Sequence, residues 1–520
     1  MVDLSRRTVL SGALGAGVLG VASADPSAAR PVRSQTPGLV TARPSLPSGW
    51  QSGDVTDGSA IIWSRTDRPS RLVVRIGRGQ NARMIRGPWA TPRTDFTAQV
   101  DVRGLAPGRE YDYRVHFEDL SGEAGEVGIG SLRTASENTA ATSFVWTGDT
   151  AGQGWGINPD LGGMVGYRPM HELRPDFLIH SGDNIYADGP ITEKVTEPDG
   201  QVWRNIVTTQ VAKVAETLDE FRGRYRYNLL DDNIRAMYAD VPVISQWDDH
   251  ETTNNWYPGE ILTDDRYTEQ RVDVLAARAR QAFFEYMPIS HRYRDRARGP
   301  QPRMYRAVKR GPLLDVFSLD MRTYRGRNTA GLEGRRTAFL GEAQVEWLLR
   351  ELSASKATWK AIAADMPIGI IVPDGDIAIE AIANRDPGAP LGRELEIAYL
   401  LSQIKKRGIR NVVWFTADVH YCAAHYYDPD KAAFSDFDGF HEFVAGPISA
   451  GGFGPNDMDA TFGPQVLFQG LPARVNQSPR DQKAMFFGYV QIDGAGEMTV
   501  SLRNGLGEVL HTTTLEPSGL

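Results

Sequence analysis

Five short apolar runs, each followed at once by acidic residues and in several cases by histidine or arginine, constrain the fold of this chain more than any other feature. Such runs are typical of buried strands, and helical patterns separate them along the chain. Strands that alternate with helices predict a layered α/β domain, in which the carboxyl ends of parallel strands share one edge. The runs and the residues that follow them are Ser143–Thr147 with Gly148-Asp149, Phe177–His180 with Gly182-Asp183-Asn184, Val241–Gln246 with Asp248-Asp249-His250, Leu314–Leu319 with Asp320–Arg325, and Val412–Thr416 with Asp418-Val419-His420.

Two stripes of apolar residues at helical spacing support the α/β interpretation. The second stripe ends at Ile404, and Gly408 follows it at the position where a helix C-cap glycine belongs. A further apolar run at Trp359–Ala363 and three runs between residues 486 and 514 predict additional strands. The stripes consist of Val345, Leu348, Leu349 and Leu352, and of Leu395, Ile397, Leu400, Leu401 and Ile404.

An earlier part of the chain has short alternating runs separated by turn residues. Ala60–Ser64 and Arg71–Ile76 have the composition of strands. The turn Leu105–Gly108, followed by the run Tyr111–Val115, resembles the corner of a fibronectin-type sandwich that carries a tyrosine. We therefore predict a small all-β domain at residues 45–136, followed by a catalytic domain at 140–520.

The first residues predict an export signal. Arg6 and Arg7 resemble a twin-arginine motif, a weakly apolar stretch follows at Leu10–Val21, and Ala22-Ser23-Ala24 matches a cleavage site. We predict a twin-arginine signal peptide at 1–24 and a flexible lead-in at 25–44, with an ordinary secretory signal as the alternative. The twin-arginine export machinery is then a predicted partner, and the mature protein is expected in a periplasm or outside the cell.

Composition excludes several classes of protein. The net charge is −8, so the basic excess of a nucleic-acid-binding surface is missing. No window reaches the roughly 18–20 consecutive apolar residues of a spanning helix, so we expect no transmembrane segment. The chain has one cysteine, Cys422, which rules out an intrachain disulfide framework.

Carboxylates that gather at one sheet edge repel one another, and a bound cation is the usual remedy. Oxygen ligands with a few imidazoles and a phenolate suit hard cations such as Fe(III), Mn, Mg or Ca. Two metals about 4 Å apart need a bridging carboxylate. Gly182 lets the backbone turn tightly and bring Asp183 towards both ions.

These motifs resemble those of the metallophosphoesterase superfamily, and more closely those of the PhoD-like alkaline phosphatases. Leu46–Gly49 with Gln51–Asp54 resembles the start of that family's amino-terminal domain, and Leu319–Arg325 resembles its arginine segment. The resemblance covers essentially the whole chain. It implies a layered metallophosphoesterase-type β-sandwich flanked by helices, preceded by a small fibronectin-like domain. The motifs are Gly148-Asp149, Gly182-Asp183-x-x-Tyr186, Asp248-Asp249-His250-Glu251 and Asp418-x-His420.

The resemblance also implies site roles. His250 would steady the transition state or protonate the leaving oxygen, and Arg322 or Arg325 would face the substrate phosphate. Asp183 would bridge two metals, for which Fe(III) with Ca(II) is expected and Mn or Mg are the alternatives. The first, iron-type metal would be held by Asp149, Asp183, Tyr186 and His420, and the second by Asp249 and Asp418, with Asn184 as a further candidate.

Two points stay open from the sequence. Some family members place a cysteine ligand in the first motif, whereas this chain has Asp149 there, and that harder ligand shifts the expected metal towards Mn, Mg or Ca. We expect Cys422 to be a packed small residue instead. Asp248 competes with Asp249 as a ligand, because adjacent side chains of an extended strand point opposite ways.

We therefore predict an exported phosphatase that hydrolyses phosphate monoesters, and possibly diesters, by attack of a metal-activated hydroxide on phosphorus. The substrate would be a small phosphate ester. A phosphodiesterase or phospholipase-D-like esterase is the nearest alternative, and a nucleotidase fits equally. A non-catalytic exported binding protein is disfavoured, because a structural metal site needs neither His250 nor the paired arginines.

Overall fold

The computed structural model describes residues 43–293 and 303–518, so the predicted signal peptide at 1–24 and nearly all of the lead-in lie outside the described residues. The described helices are α1 (Tyr167–Glu172), α2 (Leu218–Asn228), α3 (Asp232–Asp240), α4 (Val272–Tyr286), α5 (Glu342–Ala354) and α6 (Glu394–Lys406). The described strands are β1 (Trp50–Gly53), β2 (Ser59–Arg65), β3 (Ser70–Ile76), β4 (Arg83–Ala90), β5 (Thr97–Arg103), β6 (Glu110–Glu118), β7 (Gly128–Arg133), β8 (Thr142–Thr147), β9 (Phe177–Ser181), β10 (Lys194–Thr196), β11 (Val202–Arg204), β12 (Val243–Gln246), β13 (Arg306–Lys309), β14 (Leu314–Ser318), β15 (Trp359–Ala363), β16 (Pro373–Asp374), β17 (Ala378–Ile379), β18 (Val412–Thr416), β19 (Cys422–Tyr427), β20 (Phe440–Val444), β21 (Pro464–Gly470), β22 (Phe486–Ile492), β23 (Met498–Asn504) and β24 (Val509–Leu515).

Two large sheets form the centre of the molecule. The first has the strand order β24-β23-β22-β8-β9-β12-β1-β2-β5, and the second has the order β13-β14-β15-β18-β20-β19-β21. Strands β8, β9 and β12 are parallel neighbours in the first sheet, and β14, β15, β18 and β20 are parallel neighbours in the second. The apolar runs of the sequence are therefore the central parallel strands, where both faces of the sheet are covered.

Helices cover the outer face of each sheet, and an apolar layer fills the space between the sheets. Phe144 and Ile179 of the first sheet pack in one buried cluster with Val316, Phe415 and Phe443 of the second. Residues of α1 to α4 share a second cluster with the first sheet, and residues of α5 and α6 share a third with the second sheet. The predicted fold class, a layered β-sandwich flanked by helices, is confirmed.

The amino-terminal part is an all-β unit, as predicted. The four-stranded sheet β4-β3-β6-β7 packs against β1, β2 and β5 around a core of its own. The backbone N–H of Ala106 donates to the Tyr111 hydroxyl at 2.7 Å, which gives the expected tyrosine at a strand corner. This unit also continues the large sheet, because β1 pairs in parallel with β12. The boundaries at 45–136 and 140–520 stay a prediction.

The predicted strands and helices match the structure closely where their patterns are regular. The stripe residues lie on α5 and α6, and Gly408 adopts a φ of 62° after α6. The third apolar run starts two residues later than predicted, at Val243, because Val241 caps α3. Within residues 43–293 and 303–518, no helix is long and apolar enough to cross a membrane.

Candidate metal centre

The predicted ligands lie on the loops that leave the carboxyl ends of four strands, β8, β9, β12 and β18. Four of these ligands have unusual backbone conformations. Asp149, Asp183, Asp418 and His420 have φ values of 66°, 50°, 65° and 62°. Non-glycine residues rarely adopt this left-handed region, and such residues cluster at functional sites. These turns bring the side chains of separate strands to one point.

Gly182 has a structural reason to be glycine at this edge. Its φ is 107°, and a Cβ atom placed on it would lie 2.5 Å from the Cβ of Asp248. The two loops that follow β9 and β12 can approach each other because this side chain is missing. The prediction that Gly182 permits a tight turn before Asp183 is therefore consistent with the backbone geometry.

The first group of candidate ligands is Asp149, Asp183 and His420, whose ligand atoms all lie within 4.8 Å of one another. The Tyr186 hydroxyl lies 2.9 Å from His420 Nε2, so the phenol belongs to the same group. Burial lowers the pKa of His420 to about 4. A neutral imidazole is the form that binds a metal.

Two further groups adjoin the first. Asp183, Asp249 and His250 form one, and Asp248, Asp249 and Asp418 form the other. Asp183 belongs to the first two groups, which is the arrangement that a bridging carboxylate requires. Asp248 and Asp249 belong to the same group, but Asp248 also pairs with the buried Arg322, so Asp249 as the ligand stays a prediction. The chain has already left β12 at Gln246, and strand alternation no longer separates their side chains.

Glu251 ties the two central loops together. Its fully buried carboxylate accepts hydrogen bonds from the backbone N–H groups of Asp183 at 3.2 Å, Asn184 at 2.6 Å and Asp248 at 2.7 Å. It also accepts from the side-chain amide of Asn184 at 2.9 Å. The sequence alone predicts no role for Glu251. Its position beside His250 in the third motif was the available signal.

The charges of the centre fit bound cations. Burial raises the pKa of Asp149, Asp183 and Asp418, and neighbouring carboxylates raise it further. Asp149 Oδ2 and Asn184 Oδ1 are buried and have no hydrogen-bond partner among the described residues. Buried oxygens with open lone pairs and mutually repelling carboxylates are the donor set that hard cations stabilise. The residues therefore fit a metal centre.

A cavity of about 550 Å³ opens onto this centre. Asp183, Tyr186, Asp249, His250 and His420 form part of its wall. The remaining wall combines amide side chains, apolar side chains and a few charged groups. Those residues are Gln153, Asp188, Gly189, Asn254, Asn255, Arg266, Val372, Glu380, Asp418, Val419, Phe453 and Asn456.

Comparison with known proteins identifies the family. A family profile described as PhoD-like phosphatase matches residues 144–502, and the profile of the N-terminal domain of PhoD-like phosphatases matches residues 32–136. The chain belongs to the PhoD-like phosphatase family. Its resemblance to this family, inferred above from the motifs, is confirmed. The chain is accordingly a metal-dependent phosphoric ester hydrolase.

Individual relatives agree with this membership. Alkaline phosphatase D of Bacillus subtilis (strain 168) is 28% identical over 433 residues, which are 78% of this chain and 70% of that protein. A solved structure of PhoD superposes with a TM-score of 0.67 at 20% identity, covering 92% of this chain and 90% of the other. The purple acid phosphatase PPD1 from yellow lupin (Lupinus luteus) seeds superposes with a TM-score of 0.57 at 12% identity, covering 91% and 74%. These two structures share the fold.

In this PhoD-like chain the two predicted substrate arginines lie beneath the centre and not on the cavity wall. The side chains of Arg322 and Arg325 have no exposed area, and neither lines the cavity. Arg322 pairs with Asp248 and Glu380, and Arg325 donates to the backbone oxygen of Glu380. In this geometry the guanidinium groups are surrounded by carboxylates and carbonyls, so contact with the substrate phosphate stays a prediction without geometric support.

The structure adds Asp188 to the site. Its Oδ1 lies 2.8 Å from His250 Nδ1, which leaves Nε2 as the free ring nitrogen of a residue on the cavity wall. The rings of His250 and Tyr186 pack with centroids 4.2 Å apart. Asp188 follows Tyr186 by two positions, so its place just after the second motif is the signal that the sequence offers.

Cys422 lies away from the candidate ligand groups. It is fully buried at the start of β19 and packs in the apolar layer between the two sheets. Burial raises the pKa of its thiol to about 12. The expectation of a packed small residue is confirmed.

Proposed function

We propose that the chain hydrolyses phosphate monoesters at this centre. The observation that carries the proposal is the position of Asp183 in two adjoining ligand groups, next to a histidine that Asp188 orients. Bound there, metal ions would lower the pKa of a water molecule and screen the phosphate charge. The chain's own groups supply positioning and proton transfer, which is what phosphoryl transfer mainly asks of a protein.

Asp149, Asp183, Tyr186 and His420 would hold the first metal in this proposal. Asp183, Asp249, Asp418 and Asn184 would hold the second. Fe(III) with Ca(II) is the proposed pair, and Mn or Mg are the alternatives, because an oxygen ligand at Asp149 is harder than a thiolate. Metal analysis of the purified protein, for Fe, Ca, Mn and Mg, decides between these pairs.

His250 would protonate the leaving oxygen through Nε2. Burial acts to lower its pKa, but the carboxylates of Asp188 and Asp249 outweigh burial and raise the pKa to about 10. Asp188, which holds no metal in this proposal, favours the protonated imidazole and keeps the ring in one orientation. The amide side chains of Asn254 and Asn255 line the same cavity and can position the ester.

Diester hydrolysis is the second candidate, and the cavity gives it a specific argument. Val372, Val419 and Phe453 form an apolar part of the wall in a cavity of about 550 Å³, which leaves room for a second organic group on the phosphate. A diester also carries one negative charge fewer than a monoester dianion. It therefore needs less compensation from a wall that includes Glu380 and Asp188.

The test compares p-nitrophenyl phosphate with bis-p-nitrophenyl phosphate at alkaline pH, with Fe, Mn and Ca supplied. Faster turnover of the monoester supports the phosphatase, and faster turnover of the diester moves the assignment to a phosphodiesterase. An Asp183→Asn variant should lose activity on both, whereas Asp160→Asn, at an exposed aspartate outside the cavity, should not. Turnover of neither ester by metal-loaded protein would favour a binding protein.

We also propose export by the twin-arginine route. The support is sequence alone, namely Arg6-Arg7, the apolar stretch after them and Ala22-Ser23-Ala24. A variant with both arginines replaced by lysine should stay in the cytoplasm as an uncleaved precursor. The control is the same double change at the exposed pair Arg335 and Arg336, which should leave export intact.

A further inference from the structure

Arg266 is the residue that gives the cavity wall a guanidinium group. Among the described residues that line the cavity, Arg266 alone carries a lysine or arginine side chain, since Arg322 and Arg325 lie beneath the centre. Its side chain is 55% exposed, whereas the candidate ligands are nearly all buried. Arg266 therefore stands at the mouth of the cavity, away from the floor where phosphorus would react.

The loop that carries Arg266 is fixed in place. Tyr267 is buried, and its hydroxyl donates to Thr253 Oγ1 at 3.3 Å. The carboxylate of Glu216 accepts hydrogen bonds from the backbone N–H of Thr268 at 2.6 Å and of Glu269 at 2.8 Å, and from the Thr268 hydroxyl at 2.7 Å. Arg266 is thus presented by a preorganised loop, which reduces the entropy lost on binding a ligand.

The guanidinium group is aimed at the wall that carries His250. Nη1 of Arg266 donates to the backbone oxygen of Asp188 at 3.3 Å, and the carboxylate of Asp188 in turn holds His250. Nε and Nη2 donate to the carboxylate of Asp264, which is itself one-third exposed. An exposed pair of this kind is weak in water, so a ligand anion can compete for the guanidinium.

We propose that Arg266 forms an anion subsite at the mouth of the cavity, which binds a second negatively charged group on the alcohol part of the substrate. This inference rests on the proposed phosphoesterase function. The substrate class is a phosphate ester whose organic part carries a carboxylate or another phosphate beyond the scissile one. A planar guanidinium with several donors matches either anion.

The chain contains a matched control for this arginine. Arg271 lies five residues later and pairs with Glu269, two positions before it, just as Arg266 pairs with Asp264. Its side chain is 66% exposed, and it does not line the cavity. Replacement of Arg271 removes the same charge and a similar ion pair from the same loop, away from the site.

The experiment measures kcat/KM of the metal-loaded protein for phenyl phosphate, 3-carboxyphenyl phosphate and 4-carboxyphenyl phosphate. If the protein prefers diesters, the corresponding methyl aryl phosphate diesters, which keep the carboxylate free, replace them. For each protein we take the ratio of kcat/KM for the carboxylated ester to kcat/KM for phenyl phosphate or its diester. Comparing this ratio between a variant and the unaltered chain cancels the intrinsic reactivity of the leaving group. We expect Arg266→Gln to lower this ratio about fivefold for at least one carboxylated ester, and Arg271→Gln to leave the ratio unchanged. The preference should also weaken as salt is added.

The outcomes separate the two proposals. If the unaltered protein hydrolyses the esters but Arg266→Gln keeps the ratio, the subsite is overturned and the phosphoesterase stands. An equal loss on all three esters overturns the subsite too, because the guanidinium would then act on the scissile phosphate or on Asp188. If the unaltered protein hydrolyses none of the esters, the proposed function fails and the subsite fails with it.

Discussion

Nη2 of Arg322 lies 2.5 Å from Oδ1 of Asp248, and both side chains are fully buried beneath the candidate metal centre. The same guanidinium pairs with Glu380 and has Asp249, Asp365 and Asp418 within 3.8 Å. Five carboxylates therefore surround one fixed cation. We infer that Arg322 neutralises part of the acidic cluster from below.

Arg322→Met should lower the free energy of unfolding, because it leaves several buried carboxylates without a counter-charge. Removal of one partner from a buried ion pair typically costs about 3–5 kcal/mol of unfolding free energy. Urea unfolding measures this loss, with Arg350→Met as the control at an exposed pair with Glu351. Unchanged stability with lost activity would instead favour the substrate contact that the sequence suggested.

Asp188→Asn should lower kcat by about 10- to 100-fold while the metal content stays the same, because the partner of an essential imidazole sets its orientation. The pKa of His250, raised to about 10 in part by Asp188, should fall. Activity that needs protonated His250 is lost as pH rises through this pKa, so the alkaline limb of the pH–rate profile should move to lower pH.

The control for Asp188→Asn is Asp240→Asn, which breaks the surface pair of His171 and Asp240 at 3.1 Å. This change should leave both kcat and the pH profile alone. A full rate in Asp188→Asn, with an unshifted alkaline limb, would show that His250 does not need its partner.

Removal of the metals should destabilise the fold. Asp149, Asp183 and Asp249 are buried and Asp418 is partly buried beside them, so their mutual repulsion returns when the cations leave. We expect chelation to lower the melting temperature by several degrees, and added metal to restore it in proportion to its concentration. Thermal unfolding with and without chelator measures this shift.

Asp183→Asn should show a smaller chelator effect than the unaltered chain, since it removes the carboxylate shared by two groups. Metal analysis should then find fewer ions per chain. A chelator effect of full size in this variant, with unchanged stoichiometry, would place the bridging role elsewhere.

Glu216 should make the protein sensitive to acid. Burial acts to raise its pKa, but hydrogen bonds from Glu269, Thr268 and Lys213 outweigh burial and lower the pKa to about 2. Because the pKa of Glu216 is lower in the folded chain than its value of 4.5 in the unfolded chain, its carboxylate stabilises the fold fully above pH 4.5. This stabilisation is lost as the pH falls from 4.5 through the pKa of the folded chain. Glu216→Gln should therefore cost about 1–3 kcal/mol at pH 7 and less at pH 3, as judged from hydrogen bonds to a charged group.

Denaturant unfolding at the two pH values measures this difference. The matched variant is Glu193→Gln at an exposed glutamate, which should change neither value. If Glu216→Gln lowers the free energy of unfolding equally at pH 7 and pH 3, the charge of Glu216 does not stabilise the loop.

Much of the fold could be predicted from short-range pattern. Three predicted strands agree with the structure to within one residue at each end, namely Phe177–His180, Leu314–Leu319 and Val412–Thr416. The two apolar stripes lie on α5 and α6. Buried parallel strands and amphipathic helices have signals that lie within a window of a few residues. The family motifs are equally local, because each is a strand end with its ligand loop.

The amino-terminal unit contains long-range pairing that local sequence patterns do not predict. Its own strands and its tyrosine corner were predictable, but the parallel pairing of β1 with β12 joins residues that lie 190 positions apart. The buried pair of Asp54 and Arg306, at 2.9 Å, ties the same regions together. Pairing over such a distance depends on the assembled sheet, and no local pattern encodes it.

The sequence by itself determined which residue types arrive at the edge of the sheet and in what order, because strands and their terminal loops are specified locally. Only the tertiary structure decided which way the side chains point. Asp248 and Asp249 share one group, Arg322 turns inward, and Arg266 reaches the cavity instead. The physical reason is that left-handed turns and long-range packing set these directions beyond the strand ends, where simple alternation no longer applies.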